Sequence, residues 1–273
     1  MLTGDMLRRS AERFPSKPAI LWQDRSVSYR ELDLAANRFA NSVIGLGIAK
    51  GSKIGILCRN RLEYGEIFFG AARSGGVLVN ISVLYAPEEL AYVLDRADVE
   101  VLVFEDAFAQ RIAEIRAGLP KIREFVVIGA GAAGAIRYED LVSQASDMPP
   151  AVEISEDDPF SMTYTGGTTG RPKGVLASHR NRAITAHTVM VHENIDERDV
   201  VGIVTPLFHV AALNIMFQPA ILAGATCTFL TKWNVRDFAA MAKRSGMTAC
   251  FMVPTQAAQV VSDPEFDAAD HPR

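Results

Sequence analysis

"MTYTGGTTGRPKGV", residues 162–175, sets four glycines, four threonines and one lysine within a single short stretch. Residues 160–165 (FSMTYT) read as a strand running into it, and residues 173–178 (KGVLAS) read as a strand leaving it. A simple turn needs one or two glycines; this loop has more than a turn requires. Successive glycines let bare amides point into one concavity, Thr165, Thr168 and Thr169 add hydroxyls, and Lys173 adds a cation. Those are the donors a phosphate chain needs, each charge-assisted hydrogen bond contributing about 1.5–3 kcal/mol. The Walker A pattern does not fit: Lys173 follows Pro172, precedes Gly174 and leads into a strand rather than a helix. The segment is strand, phosphate-gripping loop, strand.

Outward from the loop, helix and strand signals alternate. Ser28 and Glu31 stand at capping-box spacing, followed by Leu32, Ala35, Ala36, Phe39, Val43 and Leu46 at helical intervals, with Gly47 as the stop. Short apolar runs such as KIGILC, VLVNIS, VEVLVF and EFVVIG alternate with helical stretches such as EYGEIFFGAARSG, PEELAYVLDRAD and DAFAQRIAEIRAGL. Continuous apolar strands separated by helices imply an α/β fold of mostly parallel sheets with helices on both faces. The glycine-rich GAGAAGA at 129–135 and the Pro149-Pro150 pair with its acidic run suggest a seam near residue 150. This divides the chain into a first α/β lobe, 1–150, and a second, 151–273, carrying the loop. Beyond the loop the pattern predicts helix at 179–193, strand at 199–206, helix at 209–224, strands at 225–230 and 247–254, and helix at 234–246 and 255–263.

The totals exclude several classes. With 28 Lys and Arg against 32 Asp and Glu there is no basic cluster to make a nucleic-acid footprint. Cys58, Cys227 and Cys250 lie far apart in apolar runs, which reads as reduced, buried thiols and a cytoplasmic setting. The start of the chain is a short amphipathic helix stopped by Pro15, with no signal-peptide core. Residues 200–231 lack any charge, long enough for a membrane span, but Pro206, His209, Asn214, Gln218, Pro219 and Gly224 interrupt them; strand, helix, strand is the reading.

YTGGTTGRPKGV resembles the phosphate-loop signature of the adenylate-forming superfamily of acyl-CoA synthetases, peptide-synthetase adenylation domains and beetle luciferases. Gly166-Gly167 stands where Ser-Gly is usual, so one hydroxyl is missing. TPLFHVAAL, residues 205–213, is similar to the family's next signature, with Ala212 where glycine is common. VSYRELDLAANRFA, GSKIGILCRNRLEY, YAPEELAYVL and FMVPTQ extend the likeness over essentially the whole chain.

The resemblance implies the N-terminal part of the synthetase large domain, and ATP-dependent activation of a carboxylic acid to an acyl-adenylate, then a thioester with CoA. It implies ATP, Mg²⁺ and CoA as cofactors. It assigns Thr165, Gly166, Gly167, Thr168, Thr169, Gly170 and Lys173 to the ATP phosphates, and His209 to the acyl-substrate side. Val210, Ala211, Ala212 and Leu213 become candidate lining for a hydrophobic acyl group. Segments gripping adenine, Mg²⁺ and ribose, and a mobile domain with a catalytic lysine, do not occur in these 273 residues, nor does a metal site. Two other readings stand beside it. One is a non-catalytic half that binds nucleotide weakly or a complementary chain; the other is an amino-acid adenylation domain. A truncated sheet would expose an edge strand and apolar faces, so association as a homodimer or with a second chain is expected.

Overall fold

The computed structural model describes residues 1–165 and 171–264. In chain order its strands are β1 (Pro18–Trp22), β2 (Arg25–Ser28), β3 (Lys53–Leu57), β4 (Val77–Asn80), β5 (Val99–Glu105), β6 (Glu124–Ile128), β7 (Ile136–Arg137), β8 (Pro159–Thr165), β9 (Lys173–Ser178), β10 (Val200–Ile203), β11 (Thr226–Phe229) and β12 (Ala249–Cys250). The helices are α1 (Thr3–Arg13), α2 (Tyr29–Gly45), α3 (Leu62–Ser74), α4 (Pro87–Arg96), α5 (Ala109–Ile115), α6 (Tyr138–Ser143), α7 (His179–His192), α8 (Gln218–Ala223), α9 (Val235–Ser245) and α10 (Pro254–Ser262). They build two sheets, ordered β7-β6-β5-β3-β4-β8-β9 and β12-β10-β11-β1-β2. Among the described residues only the edge pairs β8–β9 and β1–β2 are antiparallel.

Side-chain alternation explains the continuous apolar runs. In the larger sheet Ile54, Ile56, Val101, Val103, Val126 and Ile128 point into one core, shared with α2, α3 and Ile20, Val201, Ile203 and Cys227 of the smaller sheet. Leu57, Leu102, Phe104, Phe125 and Val127 point the other way, onto α4 and α5. Val204, Phe238, Met241 and Val260 form a third cluster where α9 and α10 cover the smaller sheet. Each sheet is thus buried on both faces, as parallel strands demand. Local signals agree: Ser28 Oγ accepts from the Glu31 amide at 3.3 Å, and the Glu31 carboxylate accepts from the Ser28 amide at 2.8 Å.

The seam near residue 150 does not separate the sheets. β8 and β9 complete the larger sheet, and β1 and β2 complete the smaller one, so each sheet draws strands from both sides of it. The β1–β2 hairpin had no element assigned from sequence; Ala19 and Ile20 are fully buried in it. Of the strand expected at 247–254 only the short β12 forms, and Pro254 instead opens α10. The helix at 209–224 is a wide π-turn, Ala211–Phe217, leading into α8. Pro219 accounts for the widening, since it offers no amide and its ring crowds the carbonyl one turn back. Residues 200–231 are therefore β10, this broken helix and β11, and among the described residues no helix is long and apolar enough to cross a membrane.

Candidate functional site

The two strands flanking the glycine-threonine loop pair as expected, with Thr165 opposite Lys173 and Tyr164 opposite Gly174. Gly166, Gly167, Thr168, Thr169 and Gly170 lie outside the described residues. Thr165 and Lys173 are both exposed at the mouth of the hairpin. Its base is held by a buried polar chain: Tyr64 Oη donates to Asn80 Oδ1 at 2.8 Å, and Asn80 Nδ2 donates to Ser161 Oγ and the Met162 carbonyl at 3.4 Å. A Cβ at Gly174 would lie 2.9 Å from Met162 Sδ and 3.2 Å from the Tyr164 ring, so a larger residue there displaces those side chains.

His209 is exposed on the turn after β10. Its amide donates to the Pro206 carbonyl at 2.9 Å. Its Nδ1 accepts from the Ala211 amide at 3.3 Å, capping the π-turn. With Nδ1 held as acceptor, the neutral ring carries its proton on Nε2. Val210 is 38% exposed, whereas Ala211, Ala212 and Leu213 are buried. Ala212, Leu213 and Met216 belong to the main core, so the apolar run after His209 is mostly packing, and Val210 alone of the four candidates reaches the surface.

One residue that sequence reading passed over joins these parts. Asn60, 2% exposed at the end of β3, donates through Nδ2 to the carbonyls of Ile203, Thr205 and Leu230, at 3.2, 2.9 and 3.0 Å. β8 runs parallel to β4 and β3, so Thr165 lies at the same carboxyl end of its sheet as Asn60. Asn60 therefore ties that end to the carboxyl ends of β10 and β11, from which the His209 turn departs. Ligands of open α/β sheets bind outside the carboxyl ends of strands, and both candidate groups sit there. A crevice of about 320 Å³ lies between the two ends, with Asn60, Phe108, Pro206, Phe208, Leu230 and Trp233 among its lining.

Cys58 and Cys227 are buried and Cys250 half-buried, all as free thiols. Burial pushes each thiol up, that of Cys250 to about 11, which leaves them inert as nucleophiles. Among the described residues no group of three His, Cys, Asp or Glu side chains could hold a metal ion.

A family model described as AMP-binding enzyme matches residues 7–273. The chain is 30% identical, over 65% of its length, to a medium/long-chain-fatty-acid–CoA/3-oxocholest-4-en-26-oate–CoA ligase of Mycobacterium marinum, spanning 34% of that protein. It superposes with a TM-score of 0.95 on the anthranilate CoA ligase AuaEII solved with anthranoyl-AMP, at 26% identity, covering 99% of this chain and 54% of that one. A Mycobacterium tuberculosis fatty acyl CoA synthetase matches with a TM-score of 0.86 at 26% identity, covering 98% of this chain and 53% of the other. The chain thus spans about half the length of these solved structures and about a third of the curated relative.

Proposed function

This chain belongs to the AMP-binding enzyme family, and on that premise we propose that it supplies the nucleotide- and acid-holding part of an ATP-dependent carboxylic acid–CoA ligase. The observation that carries the proposal is the meeting of two features at one end of the fold. The hairpin bearing Thr165 and Lys173 leaves the carboxyl end of the larger sheet and the turn bearing His209 leaves that of the smaller one, and Asn60, just after β3, bonds across from the first sheet to the second.

In this reading Thr165, Lys173 and the loop residues Gly166, Gly167, Thr168, Thr169 and Gly170 hold the β- and γ-phosphates. A carboxylate oxygen attacks the α-phosphorus; the new O–P bond forms as the bond to pyrophosphate breaks. Lys173 and the loop amides stabilise charge gathering on the departing pyrophosphate, the kind of preorganised electrostatic help that dominates such transfers. His209, with its proton on Nε2, donates to the acid and orients it. The CoA thiol then gives its proton to solvent and attacks the acyl carbon; the C–S bond forms as the C–O bond to AMP breaks and AMP leaves. Mg²⁺ would arrive on ATP itself. An apolar acid suits the crevice beside Phe108, Phe208 and Trp233.

The test is pyrophosphate release by an enzyme of the relatives' full length carrying these residues, given ATP and a panel of fatty, aromatic and short-chain acids. Release with one class supports the reading and names the substrate; silence across the panel sinks it.

A second reading is favoured by the hairpin's outer edge. β9 ends its sheet, and Val175 and Leu176 on it are 53% and 50% exposed, with Ile184 of α7 at 60%. An apolar edge strand of this kind pairs readily with another chain, so the 273 residues would act as one half of an assembly.

A further inference from the structure

A second cavity holds one carboxylate that no cation neutralises. The cavity, of about 470 Å³, is walled by α2, α3, α6, the start of β2 and the loop after α6, and it shares no lining residue with the crevice at Asn60. Six charged side chains line it: Arg25, Arg38, Glu63, Glu66, Glu139 and Asp147. Five of them are matched. Glu63 takes Arg61 at 2.6 Å and Arg25 at 3.7 Å, Asp147 takes Arg38 at 3.0 Å, and Glu139 has Arg137 at 3.7 Å. Glu66 forms no ion pair among the described residues. Its one hydrogen bond there is at Oε2, which accepts from Tyr138 Oη at 2.7 Å, and Tyr138 is itself only 3% exposed.

We propose that this cavity is a binding site for a small primary ammonium ion, held by the Glu66 carboxylate and seated against Val142 and Ala145. A carboxylate withdrawn from bulk water without a counter-charge is costly, and a cation bound against it removes that cost. Charge and size select the ligand class. The unmatched charge is negative and both lining arginines are taken, so an anion finds no partner. A divalent metal is no better served: it takes six or so oxygen ligands, and among the described residues no three His, Cys, Asp or Glu side chains gather to hold one. An ammonium needs one carboxylate, and a short alkyl chain behind it suits Val142 and Ala145. The volume lies within the range of small-molecule pockets and far above that of a trapped water. Burial raises Glu66 to about 7; Tyr138 opposes this, Glu63 adds to it, and Arg25 and Arg61 oppose it more weakly. Arg38, Glu139 and Asp147 face the same space as paired charges. The ammonium therefore competes with a proton for Glu66 near neutral pH.

The experiment is calorimetric titration of the 273-residue chain with n-butylammonium chloride at pH 6, 7 and 8, with potassium chloride at equal ionic strength as the inorganic comparison. With a carboxyl near 7, the ionised fraction rises from about one-tenth at pH 6 to about nine-tenths at pH 8, so affinity should rise about tenfold. Glu66→Gln should weaken binding about tenfold or more at pH 8 and flatten the pH dependence. Tyr138→Phe removes the donor that favours the ionised form and should move the rise to higher pH. Asp140→Asn, a matched loss of charge exposed on α6 outside the cavity, should match the unmodified chain. Butylammonium binding that is indifferent to Glu66→Gln, or to pH, overturns the site, as does no measurable binding by the unmodified chain. Potassium bound as tightly as butylammonium overturns the organic ligand class.

Discussion

Asn60 Oδ1 accepts a hydrogen bond from the Leu207 amide at 2.7 Å, joining the end of β3 to the turn that carries His209. With its three donated bonds this makes Asn60 the chief polar tie between the sheets at the candidate site. Asn60→Ala leaves several buried backbone groups unpaired and should cost about 2–4 kcal/mol. Asn60→Asp keeps the acceptor for Leu207 but sets a carboxylate against three carbonyls, so it should cost more. Urea unfolding checks both through a lowered midpoint at constant slope; a wild-type midpoint for Asn60→Ala would mean the tie carries no energy.

Stability should respond to pH with two opposed slopes. Burial lowers His179 to about 4, against the weaker pull of Asp158, and its Nδ1 accepts from the Thr3 amide, which requires the neutral ring. Between about 4 and the unfolded value near 6.5 the unfolded chain binds a proton the folded one refuses, so stability falls as pH falls through that window, by up to about 3 kcal/mol. Burial raises Glu66 to about 7, against the lowering effect of its hydrogen bond from Tyr138. Its contribution is full below the unfolded carboxyl range and is lost as pH rises through about 7. Glu66→Gln should therefore be about 1–3 kcal/mol more stable than the parent at pH 8 and near neutral at pH 4.5, read from thermal melts. Equal effects at both pH values would contradict the assignment.

Two glycines should behave oppositely. A Cβ at Gly70 would lie 2.7 Å from the Ala36 carbonyl and 2.7 Å from Phe39 Cδ1, where α3 crosses α2. Gly70→Ala should cost about 1–3 kcal/mol through overpacking. At Gly45, in the last turn of α2, a Cβ meets nothing within 4 Å, so Gly45→Ala should gain about 0.5–1 kcal/mol. Denaturant midpoints of the pair decide it; a loss at Gly45 as well as at Gly70 would refute the gain expected from open space at Gly45.

Lys173→Ala should weaken ATP about tenfold or more while leaving acid binding unchanged, as expected for a cation that serves the phosphates alone. Equilibrium titrations with each ligand separate the two. Equal losses would remove Lys173 from the phosphate role.

The edge at β9 should govern association. Leu176→Lys places a charge on an exposed apolar strand and should shift the chain towards monomer in sedimentation velocity, with its melt unchanged. An unmodified chain already monomeric at high concentration would refute the assembly reading.

Much of this was legible before any coordinates. The capping box at Ser28, the apolar runs of β3, β5 and β6 and the two strands at 160–165 and 173–178 all carry strong local signals, and each forms where periodicity places it. What stayed hidden is non-local. The β1–β2 hairpin is a strand because Ile20 pairs with Cys227 and Trp22 with Phe229, partners its own neighbourhood does not announce. Asn60 reads as an ordinary polar residue after a strand, since its four acceptors and donors are supplied by residues 203–230. The apolar run after His209 suits a pocket and a core equally; only its packing settles that Ala212 and Leu213 face inward.

The pairing of β1 with β11 also has a consequence for synthesis. Ile20 leaves the ribosome long before Cys227, and at typical elongation rates the wait is about 10–40 s. Throughout that interval Ala19 and Ile20, later fully buried, lack the strand that will shelter them. A nascent chain of this design carries that unsheltered apolar edge for the whole wait, and slowing translation between the two strands should lengthen its exposure.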